Sequence, residues 1–397
     1  MTEIENVSYK RDGDVLTIEL KGHIDSANAA ACENAIQEIR DENADAKELV
    51  MDAEKLDYIS SAGLRILLRV RKAVPNLRII NVSNEVYDIF DMTGFTEMIK
   101  VEKAYRVINV EGCEVIGRGA NGEVYRIDRD TIVKVYLNPD SLPDIHRERE
   151  LARTALILGI PTAIPYDVVR VGNGYGSVFE LLNATSFAKI IIKEPERMDE
   201  VIHMSVDLVK KIHETLVKPG DMPSMKKVGL KWAEFVKDYL PEDKGEKLVR
   251  LVNEIPEDQH MLHGDYHIKN VMIQDGEVLL IDMDTLCVGH PIFEFASIFN
   301  AYQGFSCIDH ENIKRFLGIS YEQGAEFWNK TLEYYFDDKT PEERQAISEK
   351  AQIIGYTRIM RRSIRRNGLE DETESKIINF CKEKICEYLD HVDTLLF

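Results

Sequence analysis

The segment HGDYHIKNVMI, residues 263–273, followed by IDMD at 281–284, decides how the rest of the chain is interpreted. It places Asp265 before an apolar run, with Asn270 shortly after it and Asp282 at the end of the next apolar strand. A lone aspartate at such a position is normally a turn residue or a helix cap. Amide and carboxylate oxygens on two adjacent loops are, however, ligands that suit Mg²⁺, and a further carboxylate can accept a proton from an attacking hydroxyl. The segment therefore predicts phosphoryl transfer, with Asp265 serving the nucleophile and with Asn270 and Asp282 binding the metal.

A glycine-rich turn lies upstream, in the segment GRGANGEVY. It contains Gly117, Gly119 and Gly122 between two predicted strands. Without side chains, the backbone amides of such a turn can approach phosphate oxygens closely. Glycines at a hairpin also serve as plain turn residues, so this motif is weak when it is taken alone.

A lysine stands in the middle of the apolar strand IVKVY, at position 134. Its ammonium group needs an anionic partner or exposure to solvent, and ATP phosphates together with a helix carboxylate would satisfy it. Glu148 is the candidate carboxylate, because it shares a helix face with Leu151, Ala152 and Ala155. The alternative is an ordinary solvated ion pair on the charged stretch HRERE.

These motifs occur in the order that phosphate chemistry requires: glycine loop, strand lysine, helix glutamate, HxDxxxxN and a later aspartate. On them, residues 107–397 resemble the aminoglycoside phosphotransferase and choline kinase branch of the kinase-like superfamily. HGD stands where eukaryotic protein kinases have HRD, and IDMD stands where they have DFG. No activation segment ending in APE follows. These departures favour phosphorylation of a small molecule over that of a protein.

The resemblance implies further features of the rear part of the chain. Its fold would be a bilobal α+β kinase-like domain, with an antiparallel-sheet N-lobe at residues 106–182 and a mostly helical C-lobe at 183–397. ATP and Mg²⁺ would be the cofactors. The backbone of Glu180 and Leu182, in the segment FELL, would contact the adenine, and Lys269 would lie beside the transferred phosphate. In this family the second histidine of the motif, here His267, usually orients the catalytic loop.

The first hundred residues alternate strand and helix patterns, which is typical of an α/β domain. Apolar strands are predicted at 15–20, 48–53 and 77–82, and helices at about Ser26–Arg40 and Ser61–Val74. The change to closely spaced strands after Glu102 marks the start of a new domain.

The segment DYISSAGL, residues 57–64, places two serines where a strand gives way to a helix. Serines at such a position cap helices well. A phosphate added there would meet free backbone N–H groups and the positive end of the helix dipole, so the position also suits reversible phosphorylation.

Together with GHIDSANAA near Asp25 and FDMTGFTEMI near Asp91, that segment resembles the STAS domain of bacterial anti-sigma-factor antagonists over residues 1–105. The resemblance implies a regulatory phosphoserine two residues before the glycine, which is Ser61. Ser60 stands where the family often has an aspartate. The resemblance also implies a protein partner for this domain, as an interaction or sensor module.

Composition narrows the classes of partner. With 70 acidic and 50 basic residues the net charge is −20, which argues against nonspecific binding to nucleic acid or to an anionic membrane. No apolar run approaches the length that spans a bilayer, and the six cysteines contain no CxxC pair. The sequence therefore predicts a cytoplasmic protein with reduced thiols. The basic stretch RIMRRSIRR, residues 358–366, is interpreted as a solvated helix face, the alternative being a role in gripping phosphate or docking the front domain.

The leading hypothesis is an ATP- and Mg²⁺-dependent phosphotransferase acting on a hydroxyl-bearing substrate, with a front domain that regulates it or binds a partner. A second hypothesis is a partner-switching adaptor whose kinase-like lobe binds nucleotide without turnover. A third is a protein kinase.

Overall fold

In the computed structural model the chain forms two units, Met1–Ile108 and Asn109–Phe397. The structure describes residues 6–119, 122–138, 141–366 and 368–397.

The front unit is an α/β domain built on a five-stranded sheet of order β1-β2-β3-β4-β5. The first two strands form an antiparallel hairpin, and the remaining neighbours are parallel. Its apolar core is centred on side chains such as Ile18, Met51, Ile79 and Phe90, all of them fully buried. The strands are β1 Val7–Asp12, β2 Val15–Ile24, β3 Glu48–Ile59, β4 Arg78–Val82 and β5 Lys100–Lys103, and the helices are α1 Ala29–Glu42, α2 Ser61–Ala73, α3 Asn84–Met92 and α4 Phe95–Met98.

The rear unit opens with an antiparallel sheet of order β6-β7-β8-β10-β9 and one helix. Gly122 lies where strand β7 approaches β8 so closely that a Cβ atom would collide with the carbonyl oxygen of Val135. Only glycine therefore fits at this position, whatever the loop before it binds. The elements are β6 Glu114–Arg118, β7 Gly122–Arg126, β8 Thr131–Tyr136, α5 Leu142–Ile157, β9 Pro165–Val171 and β10 Gly174–Glu180.

The remainder of the rear unit is mainly helical. Its centre is an apolar helix, α10, in which every residue is buried. The longest helix, α13, begins with a capping box formed by Thr340 and Glu343, which satisfies N–H groups that its first turn would leave unpaired. The helices are α6 Phe187–Lys193, α7 Met198–Glu214, α8 Met225–Lys237, α9 Glu242–Glu254, α10 Ile292–Tyr302, α11 Glu311–Leu317, α12 Tyr321–Tyr335, α13 Pro341–Arg365 and α14 Glu372–Leu389, and the short strands are β11 Thr185–Ser186, β12 Met261–Leu262, β13 Val271–Gln274, β14 Glu277–Leu280 and β15 Cys287–Val288.

The predicted fold class is confirmed: an α/β domain precedes a bilobal kinase-like domain with an antiparallel N-lobe sheet and a helical C-lobe. The predicted start of the first helix at Ser26 is wrong. The Asp25 carboxylate accepts the Ala27 N–H at 2.8 Å, and this turn delays the helix to Ala29. Within the described residues, no helix combines the length and the apolar character needed to cross a membrane.

Candidate functional site

Three of the residues predicted to act on phosphate meet at one point of the rear unit. The Lys134 ammonium lies 2.8 Å from a Glu148 oxygen and 3.1 Å from an Asp282 oxygen. The lysine comes from β8, the glutamate from α5 and the aspartate from the loop after β14. Burial alone would lower the pKa of Lys134, but the two carboxylates raise it above its ordinary value, so the side chain stays charged.

Tyr136 also holds the glutamate, and the sequence analysis missed it. Its hydroxyl donates a hydrogen bond to the second oxygen of Glu148, which is a buried residue. Burial and the Glu148 carboxylate raise the pKa of Tyr136, so it remains a protonated donor. The alternation of side chains along a strand puts residues 134 and 136 on the same face, which is the signal that could have found it.

The loop that carries Asp265 is shaped by the two residues before it. Nδ1 of His263 accepts the Asp265 N–H at 3.2 Å, so its Nε2 is the nitrogen that donates, to the carbonyl of Ile281 at 3.2 Å. Gly264 has a φ of 80°, and a Cβ there would collide with the Thr285 carbonyl oxygen. The HGD motif is thus explained by backbone geometry as well as by its carboxylate.

The Asp265 side chain is 40% exposed and has two basic neighbours. Nε2 of His267 lies 3.6 Å from one of its oxygens, and Nη2 of Arg358 lies 4.0 Å from the other. Burial raises the pKa of this carboxyl, but the His267 ring and the Arg358 guanidinium more than offset it and bring the pKa below the ordinary value. Asp265 is therefore an anion at neutral pH.

A buried glutamate holds the same loop from the core side. Glu294 is wholly inaccessible and accepts the backbone N–H groups of His263, at 2.5 Å, and Gly264, at 3.0 Å. His213 lies behind it, with Nε2 3.9 Å from Glu294 and Nδ1 2.8 Å from the hydroxyl of Tyr335. The glutamate thus fixes the backbone from which Asp265 projects.

The two predicted metal ligands, Asn270 and Asp282, lie on neighbouring segments that a backbone hydrogen bond joins. The Asn270 carbonyl accepts the Ile281 N–H at 2.9 Å, and its side-chain NH₂ donates to the Asp265 carbonyl at 3.0 Å. The amide oxygen of Asn270 is therefore the atom left to bind a cation. Asp282 follows Ile281 directly and adopts a left-handed conformation with a φ of 64°.

The charges around Asp282 fit a divalent cation. Burial, followed by the negative charge of Asp282, raises the pKa of Asp284 to about 7, so a second carboxyl group lies close to Asp282. Among the described residues, no group of three or more histidine, cysteine, aspartate or glutamate side chains is arranged to hold a metal. Two protein oxygens completed by phosphate oxygens and water are the usual coordination of Mg²⁺ in such clefts, so Asn270 and Asp282 suit that ion.

The other predicted site residues lie outside this network. Lys269 is exposed, with its ammonium 5.4 Å from the ring centre of Phe316. Glu180 ends β10, and the Leu181 N–H after it donates to the Asp130 carbonyl at 2.8 Å, just before Leu182. In the glycine turn, Gly117 lies in β6 and Gly119 donates its N–H to the Gly122 carbonyl at 2.9 Å, while residues 120 and 121 are outside the described part.

The interpretation of the basic stretch as a solvated helix face is wrong for Arg358. Its Nη1 donates to the Gly264 carbonyl at 3.2 Å and to the Ser297 hydroxyl at 3.3 Å, so it contacts the loop that carries Asp265. Arg362, Arg365 and Arg366 are exposed, as that interpretation expects. Nothing in the local sequence distinguishes Arg358 from its neighbours.

In the front unit, the two serines have different roles. The side chain of Ser60 accepts the Ala62 N–H at 3.2 Å and caps α2. Ser61 is the first residue of the helix and is exposed. The capping function therefore falls on Ser60 and leaves the Ser61 hydroxyl at the surface, next to the helix N-terminus.

A sheet lobe with an ion-paired lysine, joined to a helical lobe with an ordered HGD loop, defines the kinase-like class of phosphotransferases. The phosphotransferase enzyme family matches residues 112–327, and the STAS domain matches residues 6–107. The chain therefore belongs to the phosphotransferase enzyme family and carries a STAS domain in front of that enzyme domain.

The chain is similar to individual proteins in both of its domains. A Bordetella bronchiseptica protein named as an anti-sigma factor antagonist, BtrV, is 32% identical over 96 residues, which span 23% of this chain and 80% of that protein. Among solved structures, a thermostable mutant of aminoglycoside phosphotransferase APH(4)-Ia with AMP-PNP and hygromycin B has a TM-score of 0.49 at 13% identity, covering 71% of this chain and 94% of the other. A GDP complex of an aminoglycoside 2'-phosphotransferase-IIIa mutant has a TM-score of 0.49 at 10% identity, covering 76% and 97%. Identities of this size say nothing of the acceptor.

Proposed function

We propose that the chain uses ATP and Mg²⁺ to transfer the γ-phosphate to a hydroxyl group of a small molecule. The observation that carries this proposal is the meeting of Lys134, Glu148 and Asp282 within 3.1 Å, on three elements far apart in sequence. A partly buried lysine held by two carboxylates is poised to exchange one of them for a phosphate oxygen. An adaptor that only binds a partner has no need of such a group.

Each residue has a distinct part in the proposed reaction. Lys134, positioned by Glu148, binds phosphate oxygens of the nucleotide. Asp265 accepts a hydrogen bond from the acceptor hydroxyl, whose oxygen attacks the γ-phosphorus as the bond to the bridging oxygen breaks and ADP departs. Because its pKa is low, Asp265 chiefly orients the hydroxyl and takes the proton late. Held by Asn270 and Asp282, Mg²⁺ would supply charge neutralisation on the phosphates.

The remaining predicted site residues complete the proposed nucleotide site. The backbone of Glu180 and Leu182 would contact the adenine, and the turn with Gly117, Gly119 and Gly122 would cover the phosphates. Lys269, exposed near the catalytic loop, would lie beside the transferred phosphate. A cytoplasmic location belongs to the same proposal, since all six cysteines are free thiols, as is usual in a reducing compartment.

The test of this function is ATP consumption by the full chain with a panel of hydroxyl compounds, with and without a chelator of Mg²⁺. We expect acceptor-dependent ADP release that the chelator abolishes. Lys134→Met should lower kcat/KM by roughly 10²–10³-fold, because it removes a positive charge aimed at the phosphates. Lys193→Met, at an exposed position of α6, is the matched control. Full activity in Lys134→Met would exclude the proposed role of the lysine.

We further propose that the STAS domain regulates the enzyme or binds a protein partner, and that the phosphotransferase domain phosphorylates Ser61. The exposure of Ser61 at the start of α2, where an added phosphate would meet backbone N–H groups, supports this. After incubation with ATP and Mg²⁺, mass spectrometry should detect one phosphate on Ser61 in the wild type and none in Asp265→Asn. A wild-type chain without phosphate on Ser61 would rule out self-phosphorylation, while leaving small-molecule transfer to be judged by ADP release.

A further inference from the structure

Four arginines share one face of the last turns of α13. Arg358, Arg361, Arg362 and Arg365 stand at helical spacings of three and four, and Arg366 follows at the end of the helix. In a chain with a net charge of −20, five arginines within nine residues are a strong local exception. We call these five arginines the α13 arginine face.

The α13 arginine face begins at the catalytic loop. Arg358 donates to the Gly264 carbonyl at 3.2 Å and lies 4.0 Å from the Asp265 carboxylate. Arg361 and Arg362 follow one turn later, about 5 Å further along the helix axis. Arg361 and Arg362 are thus the next arginines along α13 after the one that contacts the Asp265 loop.

Aromatic rings hold three of the guanidinium groups in place. Arg358 lies 5.6 Å from the ring centre of Trp232, Arg361 lies 5.8 Å from that of Phe235, and Arg362 lies 5.0 Å from that of Phe305. A guanidinium that stacks on a ring keeps its N–H edges free for a planar anion, and it loses less side-chain freedom when that anion binds. The face is thus ordered in advance of binding.

Apart from Arg358, the arginines of this face have no carboxylate partner within the described residues. There, Arg361, Arg362, Arg365 and Arg366 form no ion pair within 4.0 Å with a carboxylate, and Glu374 is the carboxylate whose field acts on Arg362. Partial burial, followed by the charge of Arg365, lowers the pKa of Arg361, and partial burial of the otherwise exposed Arg362, followed by the charge of Arg366, lowers that of Arg362. Like charges held together in this way are stabilised when an anion binds between them.

We propose that Arg361 and Arg362, continuing from Arg358, form an acceptor subsite that binds a phosphate or carboxylate group of the hydroxyl-bearing substrate. The inference rests on the proposed phosphotransferase function and narrows its substrate class to anionic alcohols. It also disfavours polycationic acceptors such as aminoglycosides, whose ammonium groups would meet the arginines and be repelled.

Binding of anions by the full chain, with its nucleotide site filled by AMP-PNP and Mg²⁺, tests the inference. Isothermal titration with glycerol 3-phosphate, glycerate and glycerol separates phosphate, carboxylate and neutral probes. We expect at least one of the two anions to bind and glycerol not to bind. The double variant Arg361→Gln/Arg362→Gln should weaken the binding of that anion by at least about tenfold, in line with the loss of a charge-assisted hydrogen bond.

Arg250→Gln, an exposed arginine on α9, is the matched control and should bind as the wild type does. Equal affinity in the wild type and the double variant, no binding of either anion, or tighter binding of an aminoglycoside would overturn the inference. ADP release with the same compounds reports on the proposed function separately. Arginine-dependent anion binding without phosphate transfer to any acceptor would count against the proposed function but support the subsite. Phosphate transfer to neutral acceptors alone would support the proposed function but count against the subsite.

Discussion

Asp265→Asn is expected to lower turnover by about 10²–10⁴-fold, the range typical of removing a group that handles the reacting proton. Asparagine has nearly the same shape, so the hydrogen bond from Asn270 to the backbone of residue 265, at 3.0 Å, should persist. The amide cannot accept the hydroxyl proton, and it presents no negative charge to His267 and Arg358. Steady-state ADP release measures the loss.

ATP should still bind to this variant, because Lys134 and its two carboxylate partners are untouched. Equilibrium binding of AMP-PNP separates loss of chemistry from loss of nucleotide. Asp275→Asn is a matched control, since Asp275 is exposed in the turn between β13 and β14 and has a φ of 52° that asparagine tolerates. Turnover within error of the wild type in Asp265→Asn would remove the role assigned to this carboxylate.

The second large effect is expected at Glu294, a positioning residue that acts through the catalytic loop. Glu294→Ala leaves the backbone N–H groups of His263 and Gly264 without their acceptor in a site that water does not reach. Each unsatisfied group costs about 1–3 kcal/mol of unfolding free energy. The loop should also relax, so that kcat falls even where the domain remains folded. Thermal unfolding and ADP release measured below the unfolding transition check both effects.

Glu294→Gln distinguishes a positioning role from a merely structural one. Its single carbonyl oxygen can accept one of the two N–H groups, so we expect intermediate stability and partial recovery of kcat relative to Glu294→Ala. The exposed Glu254 on α9 supplies the control substitution, Glu254→Ala. If Glu294→Ala unfolds at the wild-type temperature and keeps the wild-type kcat, the loop does not depend on this carboxylate.

The order of elements in the rear domain could be predicted because each motif is local. HGDYHIKN, IDMD and the lysine in IVKVY each occupy one short segment, and strand and helix periodicities place them on a sheet lobe and a helical lobe. Glu148 could be predicted as the partner of Lys134 from the apolar face it shares on α5, and the structure brings the two within 2.8 Å. The division into two domains and the resemblance to the STAS domain could likewise be predicted from short segments.

The supporting residues of the site were missed for a physical reason. Gly264 and Arg358 are 94 residues apart, and Gly264 and Glu294 are 30 apart, so no local pattern links them. Glu294 lies in the mostly apolar helix IFEFASIFNAY, and a carboxylate in such a helix indicates a buried hydrogen-bond donor next to it. Arg358 carries no comparable signal, since its stretch contains five similar arginines.

The amino-acid sequence alone determines the secondary-structure elements, their order and the chemistry of the site's carboxylates, lysine and amide. Hydrophobic periodicity and residue type act over a few positions, so they can be recognised locally. Which carboxylate meets Lys134, which atoms hold the Asp265 loop and which arginine faces it depend on how α5, α10 and α13 pack. Helical periodicity predicts which side chains share a face of a helix. The element that packs against that face depends on how the whole apolar core is buried. The residues that handle phosphate therefore lie in short sequence motifs. The arginines proposed to bind the acceptor are brought to the site only by the packing of the helices.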